Sequence, residues 1–148
     1  MDGDWQEHLL KSNAAIHAML RTVKSVAVLG IKTERQSDQP AFWVAEYAKQ
    51  AGLEVIPVPV YYPEVTTILG EKVYRSLVEI PKPVDLVNVF RKSSDVLPHV
   101  SDILAKKPRA VWMQQGIRNA AAAEQLARAG IDVVQDRCLY VELQRIGK

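Results

Sequence analysis

Five apolar runs of strand length recur along the chain, and helical periodicity fills most of the gaps between them. That order constrains the fold more than any other feature. The runs are residues 25–30 (SVAVLG), 54–60, 85–90, 109–113 and 131–134. They are short and rich in β-branched residues, without apolar/polar alternation, as strands buried on both faces are. After the first run, Ala41, Val44, Ala45, Ala48 and Ala51 recur at helical spacing. Ser37 or Asp38 can cap that helix, Pro40 suits its first turn and Gly52 its end. Ser94 can cap a second helix with Val96, Leu97, Val100, Ile103 and Leu104 on one face, and Asn119 a third with Ala123, Leu126 and Ala127 before Gly130. The connection from 61 to 84 contains Pro63, Gly70, Pro81 and Pro83 and is expected to hold only short helical turns. Before the first strand, Trp5, Leu9, Ile16 and Leu20 form a stripe that predicts one amphipathic helix over roughly residues 5–20, packed on the sheet.

Strands alternating with helices require a parallel sheet with right-handed crossovers. The expected fold is therefore α/β: a Rossmann-like, doubly wound, five-stranded parallel sheet with helices on both faces and an additional N-terminal helix. A length of 148 residues, 48% of them hydrophobic, suits one domain over 1–148, with 1–22 as an N-terminal helical extension.

In such a sheet, ligands bind beyond the carboxyl ends of the strands, where crossovers diverge. Four loops lie there: 30–40, 59–63, 90–94 and 114–119. Lys32, Arg35, Arg91, Lys92 and Arg118 would suit a polyanion such as a pyrophosphate. The opposite edge is also basic, with Lys24, Lys82, Lys106, Lys107 and Arg109, so charge alone does not choose between them. Gly30 serves either a strand-ending turn or the close approach of a ligand phosphate. It does not open a G-x-G-x-x-G, and Val60, Tyr61 and Tyr62 stand where a dinucleotide site needs an acidic residue. This disfavours nicotinamide dinucleotides.

Catalytic patterns are scarce. His8 and His17 fall on the expected N-terminal helix and His99 on the helix after the third strand, all outside the cleft. There is no H-E-x-x-H and no G-x-S-x-G. Cys138 is the sole cysteine, which precludes an intramolecular disulfide; it is either a packed, inert thiol or a reactive one near the cleft. Asp136 and Arg137 beside it are expected to pair and fix the chain end. A net charge of +2 gives no general case for nucleic-acid binding. No apolar run approaches the roughly 20 residues of a membrane span, and the acidic start MDGDWQEHLLK does not read as a signal peptide. A cytoplasmic protein without nucleic-acid or membrane partners is expected, with a homodimer or an unknown protein partner left open.

Several dispersed segments then resemble, in order, the small stand-alone CoA-binding proteins, themselves similar to the CoA-binding domain of the succinyl-CoA ligase alpha subunit. These segments are VAVLG (26–30), QPAFWVAEY (39–47), GLEVIPV (52–58), LGEKVYRSL (69–77), PVDLVNVFR (83–91), AVWMQQGI (110–117) and DVVQDRCLYVE (132–142), giving a family core of 23–142. The resemblance implies coenzyme A or an acyl-CoA lying across the carboxyl edge. Gly30, Ile31 and Lys32, with Arg35 nearby, would approach the phosphates, and Gln39, Pro40 and Ala41 would open the helix behind them. Val58 and Pro59 would border the nucleotide, Val89, Phe90 and Arg91 the far side, and Gln115, Gly116 and Ile117 the pantetheine path. Two places depart from the family. Lys32 and Gln39-Pro40 replace a small residue and an arginine-proline, and Tyr61-Tyr62 replace an asparagine-proline type of continuation. The ligase's second domain, with its phosphorylated histidine, is absent from these 148 residues, so ligase activity does not follow. Non-catalytic binding is the leading expectation. The alternatives are a nucleotide- or NAD-binding regulator, an enzyme acting on a bound thioester through Cys138, Asp136 or Arg91, and an interaction protein with a vestigial cleft.

Overall fold

The computed structural model describes residues 4–148, so the first three residues of the expected N-terminal extension lie outside the described residues. Its centre is a five-stranded parallel sheet in the order β2-β1-β5-β6-β7. These strands are β1 (Ser25–Leu29), β2 (Glu54–Val58), β5 (Leu86–Val89), β6 (Ala110–Met113) and β7 (Asp132–Val134), while β3 (Thr67–Ile68) and β4 (Glu71–Lys72) form a small hairpin. The five apolar runs become the five strands because each is covered on both sides. Val26, Val28, Leu86, Ala110 and Trp112 face one core, and Ala27, Leu29, Val87, Val89 and Val111 the other.

Helices α1 (Asn13–Leu20), α2 (Pro40–Gln50) and α5 (Leu139–Arg145) cover the first face; α3 (Val100–Lys106) and α4 (Ala120–Arg128) cover the second. The doubly wound α/β architecture is as the sequence predicts. Asn119 caps α4 through its side chain, which accepts from the Ala122 amide at 2.9 Å.

Local expectations need four corrections. The single N-terminal helix is two pieces: a 3-10 turn over Trp5–His8 and then α1, capped by Ser12, with Leu9 and Leu10 extended between them. Leu9 bridges Val133 in parallel and the Leu10 amide donates to the Val133 carbonyl at 2.9 Å, so a backbone pairing with β7 outcompetes helix continuation. The N-cap of α2 is Gln39 rather than Ser37 or Asp38. Two 3-10 turns, Ser93–Asp95 and Leu97–His99, precede α3, which starts only at Val100; Pro98 disfavours helical backbone at the residue before it. The 61–84 connection contains the β3–β4 hairpin besides a 3-10 turn at Leu77–Glu79, and the Tyr74 amide covers the outer edge of β2 by donating to Pro57 at 3.0 Å.

At the amino edge the strands are tied by side chains. Asp85 Oδ2 accepts from the Lys24 and Ser25 amides at 2.8 and 3.2 Å, and Ser25 Oγ accepts from the Asp85 amide at 3.0 Å. Lys82 pairs with Glu54, and Lys106 Nζ donates to the Ile80 carbonyl.

Candidate functional site

From β1 the chain crosses one face through α2 to β2; from neighbouring β5 it crosses the other face through α3 to β6. Their carboxyl ends are therefore the point of divergence. Gly30 sits there with φ 89°, its amide donating to Val58 at 2.8 Å, while the Phe90 amide donates to Leu29 at 2.8 Å. A Cβ on Gly30 would lie 2.3 Å from the Phe90 carbonyl oxygen. The close approach that requires glycine is thus made by the next strand's own backbone.

The expected site residues separate into three groups along this edge. Gly30, Val58, Pro59, Val89, Phe90 and Arg91 are joined at the centre, but Val58 and Val89 bury their side chains and present backbone only. Ile31 and Ala41 are likewise buried, and Lys32 binds Gln39 through Nζ and the Ala41 carbonyl through its amide. Arg35 is exposed on a cavity of about 580 Å³ shared with Thr33, Tyr62 and Val65, and Pro40 is exposed at the start of α2. The third group lies beyond β6 and β7. Gln115 lines a cavity of about 350 Å³ with Arg137, Cys138 and Glu142, while Gly116, at φ 86°, donates its amide to Asp136 Oδ1 at 2.6 Å. The Ile117 carbonyl accepts from the Asp136 amide at 3.1 Å.

Arg91 is the one cation of the central group. Its side chain is 16% exposed, yet its nearest polar contacts are long: Nη1 to Tyr61 Oη at 3.4 Å and Nη2 to Asp95 Oδ2 at 3.7 Å. Nε is buried with no partner. On the neighbouring strands, Asn88 Nδ2 donates to Gln114 Oε1 at 3.2 Å, leaving Asn88 Oδ1 buried and unpartnered. A half-buried guanidinium with one unpartnered donor and two long contacts has capacity left for an anion.

His99 corrects the expected placement outside the cleft. It belongs to the 3-10 turn before α3 and lines a cavity of about 310 Å³ with Leu29, Pro59, Val60, Arg75 and Asp102. Burial, aided by the Arg91 charge, holds its imidazole below the usual histidine range. Its local sequence carries no cleft signal, because only the delayed start of α3 turns it toward this edge. His8 and His17 lie elsewhere, each 2.8 Å from a carboxylate, Asp132 and Glu142 respectively.

The expected Asp136–Arg137 pair does not form. Asp136, at φ 58°, turns to the Gly116 amide and to Arg118 Nε at 3.2 Å, and the Gly116 hydrogen bond above all holds its carboxyl below the usual range. Arg137 instead reaches Asn13 Oδ1 at 2.6 Å and the Lys11 carbonyl at 3.0 Å. Cys138 is half-buried against the α2-side core. Among the described residues no group of three or more His, Cys, Asp or Glu could hold a metal, and no helix is long and apolar enough to cross a membrane.

A family model described as CoA binding domain matches residues 24–144. The uncharacterized protein YneT of Bacillus subtilis is 35% identical over 130 residues, spanning 88% of this chain and 93% of its own length. A solved Thermus thermophilus structure is 36% identical with a TM-score of 0.83, covering 92% of this chain and 99% of its own. A hypothetical protein from Pyrococcus horikoshii OT3 is 27% identical with a TM-score of 0.82, covering 99% of this chain and 94% of its own.

Proposed function

Because the chain belongs to the CoA binding domain family, we propose that it is a non-catalytic module that binds coenzyme A or an acyl-CoA across the carboxyl edge of its sheet. The observation that carries this reading is Arg91: a guanidinium largely withdrawn from water, with a partnerless Nε, beside the divergence of β1 and β5. An anionic phosphate supplies the acceptors it lacks. The donor set therefore fits the ligand.

In this reading the backbone of Gly30 and Ile31, with Lys32 and Arg35, faces the phosphates, and Gln39, Pro40 and Ala41 form the helix start behind them. Val58 and Pro59 border the nucleotide, Val89, Phe90 and Arg91 close the far side, and the pantetheine arm runs along Gln115, Gly116 and Ile117. Residues 23–142 act as one binding unit in a cytoplasmic setting.

Thermal unfolding with coenzyme A, acetyl-CoA, NAD and ATP in parallel tests it. A ligand held only by the native state adds about 2.7 kcal/mol of stability at a hundred times its Kd. A rise in Tm with the CoA species alone is expected; a rise with NAD alone would reassign the protein to the dinucleotide binders, and no rise with any of the four would remove the reading.

A further inference from the structure

Several unusual features coincide in the five residues that follow Val60. Tyr61 is 62% exposed, the most of the exposed large hydrophobics among the described residues. Tyr62 has φ 63°, in the left-handed region that bulky side chains avoid unless their surroundings hold them there. Arg75 does the holding. Its Nη1 donates to the Tyr61 carbonyl at 3.1 Å, and its Nη2 lies 2.8 Å from the Tyr62, 3.2 Å from the Pro63 and 2.6 Å from the Val65 carbonyl oxygens. One planar fork reaches four carbonyls within a five-residue stretch, which an ammonium cannot span in the same way.

This clamp gives the exposed ring a fixed position. The Arg91 guanidinium lies 5.6 Å from the Tyr61 ring centroid, and the cavity lined by Pro59, Val60 and His99 opens beside the same segment. A strained, clamped backbone that carries a largely exposed tyrosine, with a cation over its ring, has the two parts a nucleotide needs: a surface for its base and a charge for its phosphate.

The geometry points to Tyr61 as the platform on which the ligand's adenine base stacks, with Arg91 taking a neighbouring phosphate and Arg75 acting as the positioning residue. This deepens the CoA reading and rests on it for the ligand's identity. Tyr61 would then set the preference for ligands that carry a base over those that carry only the pantetheine arm.

Calorimetric titration of the full chain with coenzyme A, adenosine 3′,5′-bisphosphate and 4′-phosphopantetheine separates the possibilities. Tyr61→Ala is expected to weaken coenzyme A and the bisphosphate about tenfold, the scale of one base–aromatic stack. It leaves 4′-phosphopantetheine, which lacks the base, unchanged, and Tyr61→Phe restores binding. Arg75→Ala reproduces the base-selective loss, a ratio that general destabilisation would not alter. Unchanged coenzyme A affinity in Tyr61→Ala, or an equal loss for all three ligands, overturns the platform while leaving the CoA reading intact. A wild-type protein that binds the bisphosphate through Tyr61 but not coenzyme A overturns the CoA reading and keeps the platform; binding of neither removes both.

Discussion

At the amino edge of the sheet, Asp85 takes the Lys24 and Ser25 amides and Ser25 returns the bond to Asp85; at the carboxyl edge, Arg91 Nε lies buried without a partner. Arg91 differs in the same way from two amino-edge lysines. Lys82 and Lys106 are bound to Glu54 and the Ile80 carbonyl at the first edge, whereas Arg91 at the second makes only contacts of 3.4 and 3.7 Å. Exposed apolar side chains also gather at the second edge: Val60 lines the His99 cavity, Tyr61 follows it, and Leu97 precedes His99 by two residues. Charge counted along the sequence made the edges look alike. What separates them is narrower: the amino edge uses Asp85 and Ser25 to hold strands together, while at the carboxyl edge Lys32 and Arg118 are paired and Arg91 Nε and Asn88 Oδ1 are left without partners.

The largest expected effect would break the contrast by damaging the fold from the carboxyl edge. Gly30→Ala combines a positive φ with a Cβ 2.3 Å from the Phe90 carbonyl oxygen, and should cost about 3–5 kcal/mol of stability in denaturant unfolding. Arg91→Ala sharpens the contrast: ligand binding should weaken by about 1.5–3 kcal/mol in calorimetry. Asp85→Ala is its mirror image. Stripping the acceptor from two strand amides should lower stability by about 1–3 kcal/mol while the Tm response to coenzyme A persists. The smallest effect concerns pH. Because His99 titrates below its ordinary 6.5 in the fold, the unfolded chain binds that proton more readily, so stability should decline as pH falls through and below that value. Melting curves between about pH 7.5 and 5.5 should show this slope, and His99→Gln should flatten it.

The strands were legible because burial on both faces leaves continuous β-branched runs, and α4 was legible because Asn119 caps it with its own side chain. Pieces fixed by distant partners were not. Leu9 fits a helical stripe by spacing, yet Val133, far along the chain, claims its neighbour's amide. The β3–β4 hairpin has two residues per strand, too few for alternation to register. Nor did the sequence indicate α5, whose Leu139 and Leu143 complete the α2-side core. At the candidate site, the loops and their cations could be located from strand order alone. The position of His99 and the grip of Arg75 on four carbonyls could not, since both depend on how the 61–84 connection and the turns before α3 fold back.

The extended stretch at Leu9 and Leu10 also has a consequence for self-association. β7 is the last strand of its sheet, and Val133 would otherwise offer its outward carbonyl to any passing chain. A strip of the protein's own backbone occupies that position, secured by His8 on Asp132 and by Arg137 on Asn13 and Lys11. Native proteins commonly blunt such margins to avoid templating aggregates. The N-terminal segment is therefore a built-in selvedge, and shortening it to Asn13 would bare a border open to strand pairing.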